Sequence, residues 1–160
     1  MAALSQAQAQ VYGLYVNELI VRLLPPGQAS PYMFELYVET LMKLCEPTRQ
    51  KNAMRRFEVG LLKTIGHGLP FIAPRNEFVV DPQSWYCCYP YAMPVPGVPP
   101  ASEKKRHYYR GHTLRALQSG LAGDIEEDVL SEAGRLLDQA LKHCLGGKRL
   151  RSRRLFDYLL

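Results

Sequence analysis

The amino-acid sequence predicts a mainly α-helical, bundle-like domain with an irregular insert that is rich in proline and aromatic residues and carries a few short strands. Apolar residues recur at three- and four-residue intervals over most of the chain, which is the spacing of one side of a helix. The exception is the stretch from about 69 to 110, which holds eight of the twelve prolines and is therefore excluded from continuous helix. The chain has 160 residues, of which 47% are hydrophobic, so residues 1–160 suit a single domain with a real core.

Two helices are predicted in the first 45 residues. The first has its inward apolar positions from Val11 to Leu23 and stops at Pro25-Pro26-Gly27, because proline lacks an amide hydrogen and restricts the residue before it. The second begins at Ser30-Pro31, where serine can cap the first turn and proline fits the first helical position. It runs to about Cys45, and its predicted inward side consists of Phe34, Tyr37, Val38, Leu41 and Leu44.

Three further helices follow. One comes after Pro47 and ends at Gly66-His67-Gly68, and a short one covers His112 to Gly120. A long helix starts within the acidic segment Asp124–Asp128, which complements the helix dipole. It ends at Gly146-Gly147, because glycine adopts the left-handed conformation of a helix C-cap without steric cost. The inward side predicted for the helix after Pro47 consists of Met54, Phe57, Leu61, Leu62 and Ile65.

The aromatic residues of the insert admit two interpretations. Phe78–Val80, Trp85–Tyr89 and His107–Tyr109 are candidates for short strands. The rings between Trp85 and Tyr91 either pack against the helices or form platforms on which nucleic-acid bases stack, and in the second case Lys104, Lys105 and Arg106 would hold phosphates. Packing is the favoured interpretation, since aromatic side chains form cores more often than they bind ligands.

Positive charge is concentrated at the C-terminal end. Residues 142–160 hold six Lys or Arg and one acid, an excess equal to the formal net charge of +5 of the whole chain. A basic protein favours acidic partners, nucleic acid first among them. The segment is either a solvated, frayed tail or a docked element that fixes its cations in place. Interleaved apolar residues favour docking, with a final turn formed by Leu155, Phe156, Tyr158 and Leu159.

The sequence carries no signature of catalysis, a metal site or a cofactor. Cys45, Cys87, Cys88 and Cys144 show neither CxxC nor paired Cys/His spacing, so neither a disulfide framework nor a zinc site is predicted. Gly-rich phosphate loops and paired catalytic carboxylates are also missing. An enzyme would instead need a cleft that gathers a carboxylate with His67, His107, His112 or His143.

No apolar run is long enough to cross a bilayer, and the N-terminus has no charged-then-apolar signal. We therefore expect a cytoplasmic protein without a membrane partner.

Three segments, in this order and approximate spacing, resemble the C-terminal helical domain of the RecO family of bacterial recombination mediators. They are GLYVNEL at 13–19, RRFE through LL to GHG at 55–68, and LGGK through SRRLF at 145–156. The resemblance spans nearly the whole chain from about Val11. The last segment is fairly specific, whereas the helical segments alone would be weak.

The resemblance implies a non-enzymatic DNA repair and recombination mediator that works at the nucleoid. Members of the family bind single- and double-stranded DNA and anneal complementary strands. With RecR they help RecA load onto strands covered by single-strand-binding protein, whose acidic, Phe-ended tail they also recognise. Members normally begin with an OB-fold domain, which is expected to be absent from this chain. Some carry a four-ligand zinc module where residues 71–91 have only Cys87-Cys88, so no zinc is expected.

The resemblance also locates two candidate sites. An acidic peptide ending in Phe needs an apolar pocket for its ring and a cation for its terminal carboxylate, and arginine can hold both carboxylate oxygens. The segment that matches the family at this contact contains Arg55, Arg56, Phe57 and Leu61, with Arg55 as the first choice. The candidates for DNA phosphates are the cations of the tail, namely Lys148, Arg149, Arg151, Arg153 and Arg154.

Two alternatives remain open. Arg55 and Arg56 could instead pair with internal acids such as Glu58, Glu126 or Glu127, since ion pairs on helix surfaces are common. The domain as a whole could be a protein-interaction adaptor with little DNA affinity, because the OB-fold domain is expected to be absent.

Overall fold

The computed structural model of the chain describes the backbone of residues 2–28, 30–75, 77–101 and 105–159 and the side chains of 5–28, 30–75, 77–101 and 106–156. Its mainly α-helical character is as predicted. The helices are α1 (Ala2–Leu23), α2 (Pro31–Leu44), α3 (Gln50–Thr64), α4 (Gly111–Gln118), α5 (Glu127–Cys144) and α6 (Arg151–Leu159), and the strands are β1 (Trp85–Cys87), β2 (Val95–Pro96) and β3 (Tyr108–Arg110).

The helices begin and end close to the positions predicted from proline, serine and glycine residues in the sequence. The Met33 amide donates to the Ser30 hydroxyl at 3.3 Å, so Ser30 caps α2 and Pro31 is its first residue. Gly66, just beyond α3, has a φ of +80°, and Gly146 and Gly147, just beyond α5, have φ of +59° and +75°. These are left-handed conformations that other residues adopt at a cost.

The core lies around α3 and α5, which pack against each other, while α3 also packs against α1 and α2, and α5 against α4. Phe57, Leu61 and Leu62 from α3 and Leu136 and Leu137 from α5 are all 0% exposed. Ile65, predicted to face inward, is partly buried against this core.

The predicted inward side of α2 is wrong in part. Leu44 is buried, and Tyr37 and Leu41 pack partly buried against the core, but Phe34 is 69% and Val38 is 39% exposed. Met33, Leu36 and Thr40 are buried instead. This helix carries apolar residues on every side, so spacing alone does not select the buried side. The selection comes from Gly60 of α3, where Leu36 occupies the space that a Cβ atom would need.

The insert forms a small antiparallel sheet with strand order β2-β1-β3. Strands near Trp85 and Tyr108 are confirmed, whereas Phe78–Val80 is not a strand and the short β2 was not predicted. Core packing holds for only some of the rings. Tyr86 and Tyr109 are buried, as core packing predicts, but Tyr89 is 43% and Tyr91 is 68% exposed. Lys104 and the side chain of Lys105 lie outside the described residues, as do the side chains of Tyr158 and Leu159.

The sheet is held against α5 by the buried carboxylate of Glu132. Its Oε2 atom accepts hydrogen bonds from Arg110 Nε at 3.1 Å and from the Thr113 hydroxyl. Gln139 of α5 adds bonds to the Arg106 carbonyl at 2.9 Å and to the Tyr109 hydroxyl at 3.0 Å. The insert is therefore anchored to the helical core by several polar contacts.

The four cysteines are free thiols. Burial, followed by the neighbouring Cys87, raises the pKa of the Cys88 thiol to about 12, so it stays protonated at neutral pH. The described residues contain no group of three His, Cys, Asp or Glu that could hold a metal ion. None of the described helices is both long enough and apolar enough to cross a membrane.

Candidate anion-binding cleft

The basic tail is a helix docked on α1. At its N-terminus, the amides of Arg151 and Ser152 each donate to the Glu18 carboxylate at 2.8 Å, and the Ser152 hydroxyl donates at 2.7 Å. Burial alone would raise the pKa of Glu18, but the hydrogen bonds from Ser152 and Arg151 lower it overall, so the capping group is an anion at neutral pH. A carboxylate at this end of a helix satisfies free amides and complements the helix dipole.

Aromatic contacts secure the rest of α6. The ring of Phe156 lies 5.3 Å from the ring of Tyr12 and 5.7 Å from that of Tyr15, where the two rings meet edge to face. The guanidinium of Arg153 lies 5.8 Å above the Tyr15 ring and forms an ion pair with Asp138 of α5. Contacts from both α1 and α5 therefore fix the position of the tail.

A cleft of about 680 Å³ opens where α1, α3, α5 and the segment from 147 to 156 meet. We call it the basic cleft. Eight cations and two acids, Glu58 and Asp138, line it together with apolar side chains that include Tyr12, Met54, Leu141 and Phe156. The eight cations are Lys51, Arg55, Arg135, Lys142, Lys148, Arg149, Arg153 and Arg154.

Arg55 lies at the wall of the cleft and is bound to a buried acid. Its Nη1 atom is 2.5 Å from Glu58 Oε2, and the Tyr15 hydroxyl donates to Glu58 Oε1 at 2.8 Å. The guanidinium lies against Gly134 of α5, so close that an added Cβ there would be 2.7 Å from it. Burial lowers the pKa of Arg55, but the charge and hydrogen bond of Glu58, together with smaller contributions from Tyr15 and Tyr12, raise the pKa overall, so the guanidinium stays charged.

The predicted peptide-binding residues separate into different environments. Arg55 lines the basic cleft, but Arg56 does not and lies 3.8 Å from Glu39 of α2. Phe57 and Leu61 are 0% exposed and belong to the core. Both arginines thus form ion pairs with acids of this chain. Among the apolar residues that line the cleft instead, Leu145 and Phe156 are only partly buried, whereas Tyr12 and Met54 are 5% and 2% exposed.

Four of the five predicted DNA-binding cations line the same cleft as Arg55: Lys148, Arg149, Arg153 and Arg154. Arg151 is exposed outside this lining. Among the residues whose side chains are described, no acid forms an ion pair with Lys148, Arg149 or Arg154. One residue of the predicted peptide site, Arg55, and four of the predicted DNA-binding cations therefore line the same cleft. Lys148, Arg149 and Arg154 have the greatest freedom there to meet a ligand.

Sequence reasoning missed the contribution of α5 and of Lys51. Arg135 and Lys142 line the cleft from α5, seven residues apart, together with Asp138 between them. Residues at this spacing lie on one side of a helix, so the pattern was visible in the sequence. Their proximity to the tail was not, because it depends on how α6 packs.

A second groove lies on the other side of this row of α5. We call it the aromatic groove. It has a volume of about 610 Å³ and is lined by Tyr89, Pro90, Tyr91, Arg106, His107, Arg135, Asp138, Gln139, Lys142 and His143. The groove thus brings His107 and His143 close to the Asp138 carboxylate, which is the combination that the sequence analysis required for an enzyme. However, the Asp138 carboxylate is paired with Lys142 at 2.8 Å and with Arg153, and no hydrogen bond joins it to either imidazole within the described part of the chain.

Together the fold and the basic cleft define a helical domain with a surface suited to anionic partners. A family model described as "Recombination protein O C terminal" matches residues 4–154. The chain therefore belongs to the RecO family, within which it corresponds to the C-terminal part.

Relatives agree with this assignment. The chain is 33% identical over 153 residues to a protein of Pseudomonas aeruginosa, a match that covers 96% of this chain and 63% of the relative. It is 37% identical over 151 residues to one of Stutzerimonas stutzeri, covering 93% and 61%, and 34% identical over 143 residues to one of Vibrio cholerae, covering 89% and 57%. Each bears the name "DNA repair protein RecO". The chain spans less than two thirds of the length of these curated relatives.

Proposed function

We propose that this domain acts, without catalysing a reaction, in DNA repair and recombination, and that its basic cleft binds both DNA and the acidic C-terminal tail of single-strand-binding protein. In this role it supports strand annealing and, with RecR, the loading of RecA. The observation that carries the proposal is the ratio of eight cations to two acids around one hollow with apolar walls. The names of the relatives support the repair role.

The cleft has the parts that an acidic peptide ending in Phe requires. Leu145 and Phe156, the apolar lining residues that are only partly buried, offer a surface for the terminal ring. Arg149 and Arg154, free of ion pairs with the described acids, can hold the terminal carboxylate in the two-pronged geometry that arginine favours. Arg55 contributes charge from the wall, with one edge of its fork occupied by Glu58.

DNA would meet the same cations through its phosphates. Such contacts do not distinguish sequences, apply to single and double strands, and weaken with salt because binding releases counterions. Phe57 and Leu61, buried in the core, take part only by fixing the position of α3.

DNA binding is tested by removing the three freely available cations. The triple variant Lys148→Gln, Arg149→Gln and Arg154→Gln should bind a labelled single strand more weakly and lower the slope of log affinity against log salt by about 2, since each phosphate contact on a single strand contributes about 0.7. The matched control removes the same charge from exposed residues outside both grooves, Lys63, Arg75 and Arg115. Equal slopes for the two triple variants would refute DNA binding in the cleft.

Peptide binding is tested with Arg55→Ala and Arg154→Ala against an acidic, Phe-ended peptide by fluorescence anisotropy. Both variants should bind more weakly than the control Arg56→Ala, which removes a neighbouring cation outside the cleft. Because Arg55→Ala leaves the buried Glu58 without its cation and can lower stability, the exposed Arg154 supplies the second, independent readout. Unchanged affinity for both variants would place the peptide elsewhere.

An adaptor that binds protein but little DNA is the second candidate. It is favoured by the internal pairing of five of the eight cations, Lys51, Arg55, Arg135, Lys142 and Arg153. Tight binding of the peptide together with no measurable binding of DNA at low salt would identify this function.

A further inference from the structure

The aromatic groove holds a row of rings at the protein surface. Tyr89 is stacked on His107, with ring centroids 4.5 Å apart and an angle of 29° between the ring planes. Tyr91 follows, 6.3 Å from Tyr89 and 5.5 Å from His143 of α5. With 68% of its surface exposed, Tyr91 contributes little to the core. An exposed cluster of rings is typical of a binding surface.

Hydrogen bonds to backbone groups fix the segments that carry these rings. The Cys88 amide donates to the His107 carbonyl at 2.7 Å, which joins the end of β1 to the segment before β3. The Ala92 amide donates to the Tyr89 carbonyl at 3.2 Å and closes a turn that includes Pro90 and Tyr91. Anchoring of the Arg106 carbonyl by Gln139 ties the same segment to α5. Little backbone conformational entropy is therefore lost when a flat ligand lies on the rings.

Cations border the rings. Three of them, Arg106, Arg135 and Lys142, line the groove against one acid, Asp138. Arg106 is exposed and forms no ion pair with an acid among the described side chains. Lys142 keeps 63% of its side chain exposed even while it pairs with Asp138. The groove thus combines flat apolar faces with a positive border.

The aromatic groove and the basic cleft share a border. Arg135, Asp138 and Lys142 line both, because they form one row along α5 with a groove on either side. A single strand bound to the cations of the cleft would cross this row to reach the rings, and Arg135 and Lys142 flank the one carboxylate of the row, Asp138.

We infer that the aromatic groove binds single-stranded DNA by stacking unpaired bases on Tyr91 and Tyr89 while Arg106 and Lys142 hold the adjoining phosphates. This inference rests on the proposed DNA binding of the basic cleft and adds a second, base-dependent contact to it. Rings between phosphate-binding cations are the usual arrangement in proteins that bind single strands without sequence preference. A duplex cannot use the rings, since its bases are already paired and stacked.

The test compares two labelled single strands of equal length, an oligothymidine and an abasic strand with the same phosphates. Tyr91→Ala should weaken binding of the oligothymidine about fivefold or more, which corresponds to the loss of one base stack, and leave binding of the abasic strand and of a duplex unchanged. Tyr91→Phe should retain the affinity, because its ring can still stack. The matched control is Phe34→Ala, which removes a ring of nearly equal exposure, 69%, outside both grooves.

The outcomes separate this inference from the proposed function. If the chain binds both strands equally and Tyr91→Ala changes neither affinity, DNA binding in the cleft stands and base stacking is refuted. If Tyr91→Ala weakens the binding of both strands by the same factor, the ring affects binding through the shape or charge of the groove, and stacking is again refuted. If the unaltered chain binds neither strand at low salt, the proposed DNA binding fails together with the inference.

Discussion

Glu18→Ala should release α6 from α1 and open the basic cleft on one side. The Glu18 carboxylate accepts two amide hydrogen bonds at 2.8 Å and a hydroxyl bond at 2.7 Å, and only 16% of its side chain is exposed. A hydrogen bond to a charged group contributes about 1.5–3 kcal/mol, and loss of a helix N-cap costs about 0.5–2 kcal/mol. Because water replaces part of what is lost, we expect a net cost of about 2 kcal/mol to the docking of α6.

Native-state hydrogen exchange measures this cost where it arises. A loss of about 2 kcal/mol should raise the exchange rate of the α6 amides about thirtyfold, while amides of α3 and α5 in the core exchange at nearly their original rates. Glu39→Ala is the matched control. Glu39 also has a lowered pKa, caused first by its hydrogen bond with Lys43, but it caps no helix. Equal protection of the α6 amides from exchange in the two variants would refute the role of Glu18 in docking α6.

The same contact should depend on pH. The pKa of Glu18 in the folded chain is lowered from 4.5, so the anion stabilises the docked state above that value and the contribution is lost as the pH falls through the folded pKa. The difference in α6 protection between the unaltered chain and Glu18→Gln should therefore be largest near neutral pH and shrink below 4.5. A difference that grew on acidification would contradict this assignment.

Four substitutions test the packing by denaturant unfolding. Gly111→Ala should lower the unfolding free energy by about 2 kcal/mol or more, because a Cβ there would collide with the Asp81 carbonyl; an unchanged midpoint would contradict this. Phe57→Ala should lower the unfolding free energy by about 3–5 kcal/mol, whereas Phe34→Ala should lower it by about 0.5 kcal/mol or less. Similar losses for the two variants would refute the assignment of Phe34 to the exposed side of α2. Glu132→Gln should cost about 1–3 kcal/mol by weakening the anchor of the insert, which a stability equal to that of the unaltered chain would disprove.

Elements with local signals were predictable from the sequence. Proline and serine at the start of α2 and glycines after α3 and α5 act within a few residues, so the helix ends follow from the order of residues alone. The tail was predicted to dock because apolar residues interrupt its cations, and Leu150 is indeed 3% exposed.

What depends on tertiary packing was not predictable. The buried side of α2 is selected by Gly60 of another helix, and the short β2 pairs with β1 through only two residues. The basic cleft depends on packing in the same way. Arg55 and Arg154 are far apart in the sequence, and no local pattern indicates that α5 supplies the wall between them.

Peptide titration followed by NMR is the most direct test of a shared cleft. An acidic, Phe-ended peptide added to the labelled chain should shift the amide signals of residues that line the cleft, such as Met54, Gly134 and Leu141, and added single-stranded DNA should shift an overlapping set. Shifts confined to the exposed apolar side of α2 around Phe34 and Met42, or none at all, would contradict binding in the cleft.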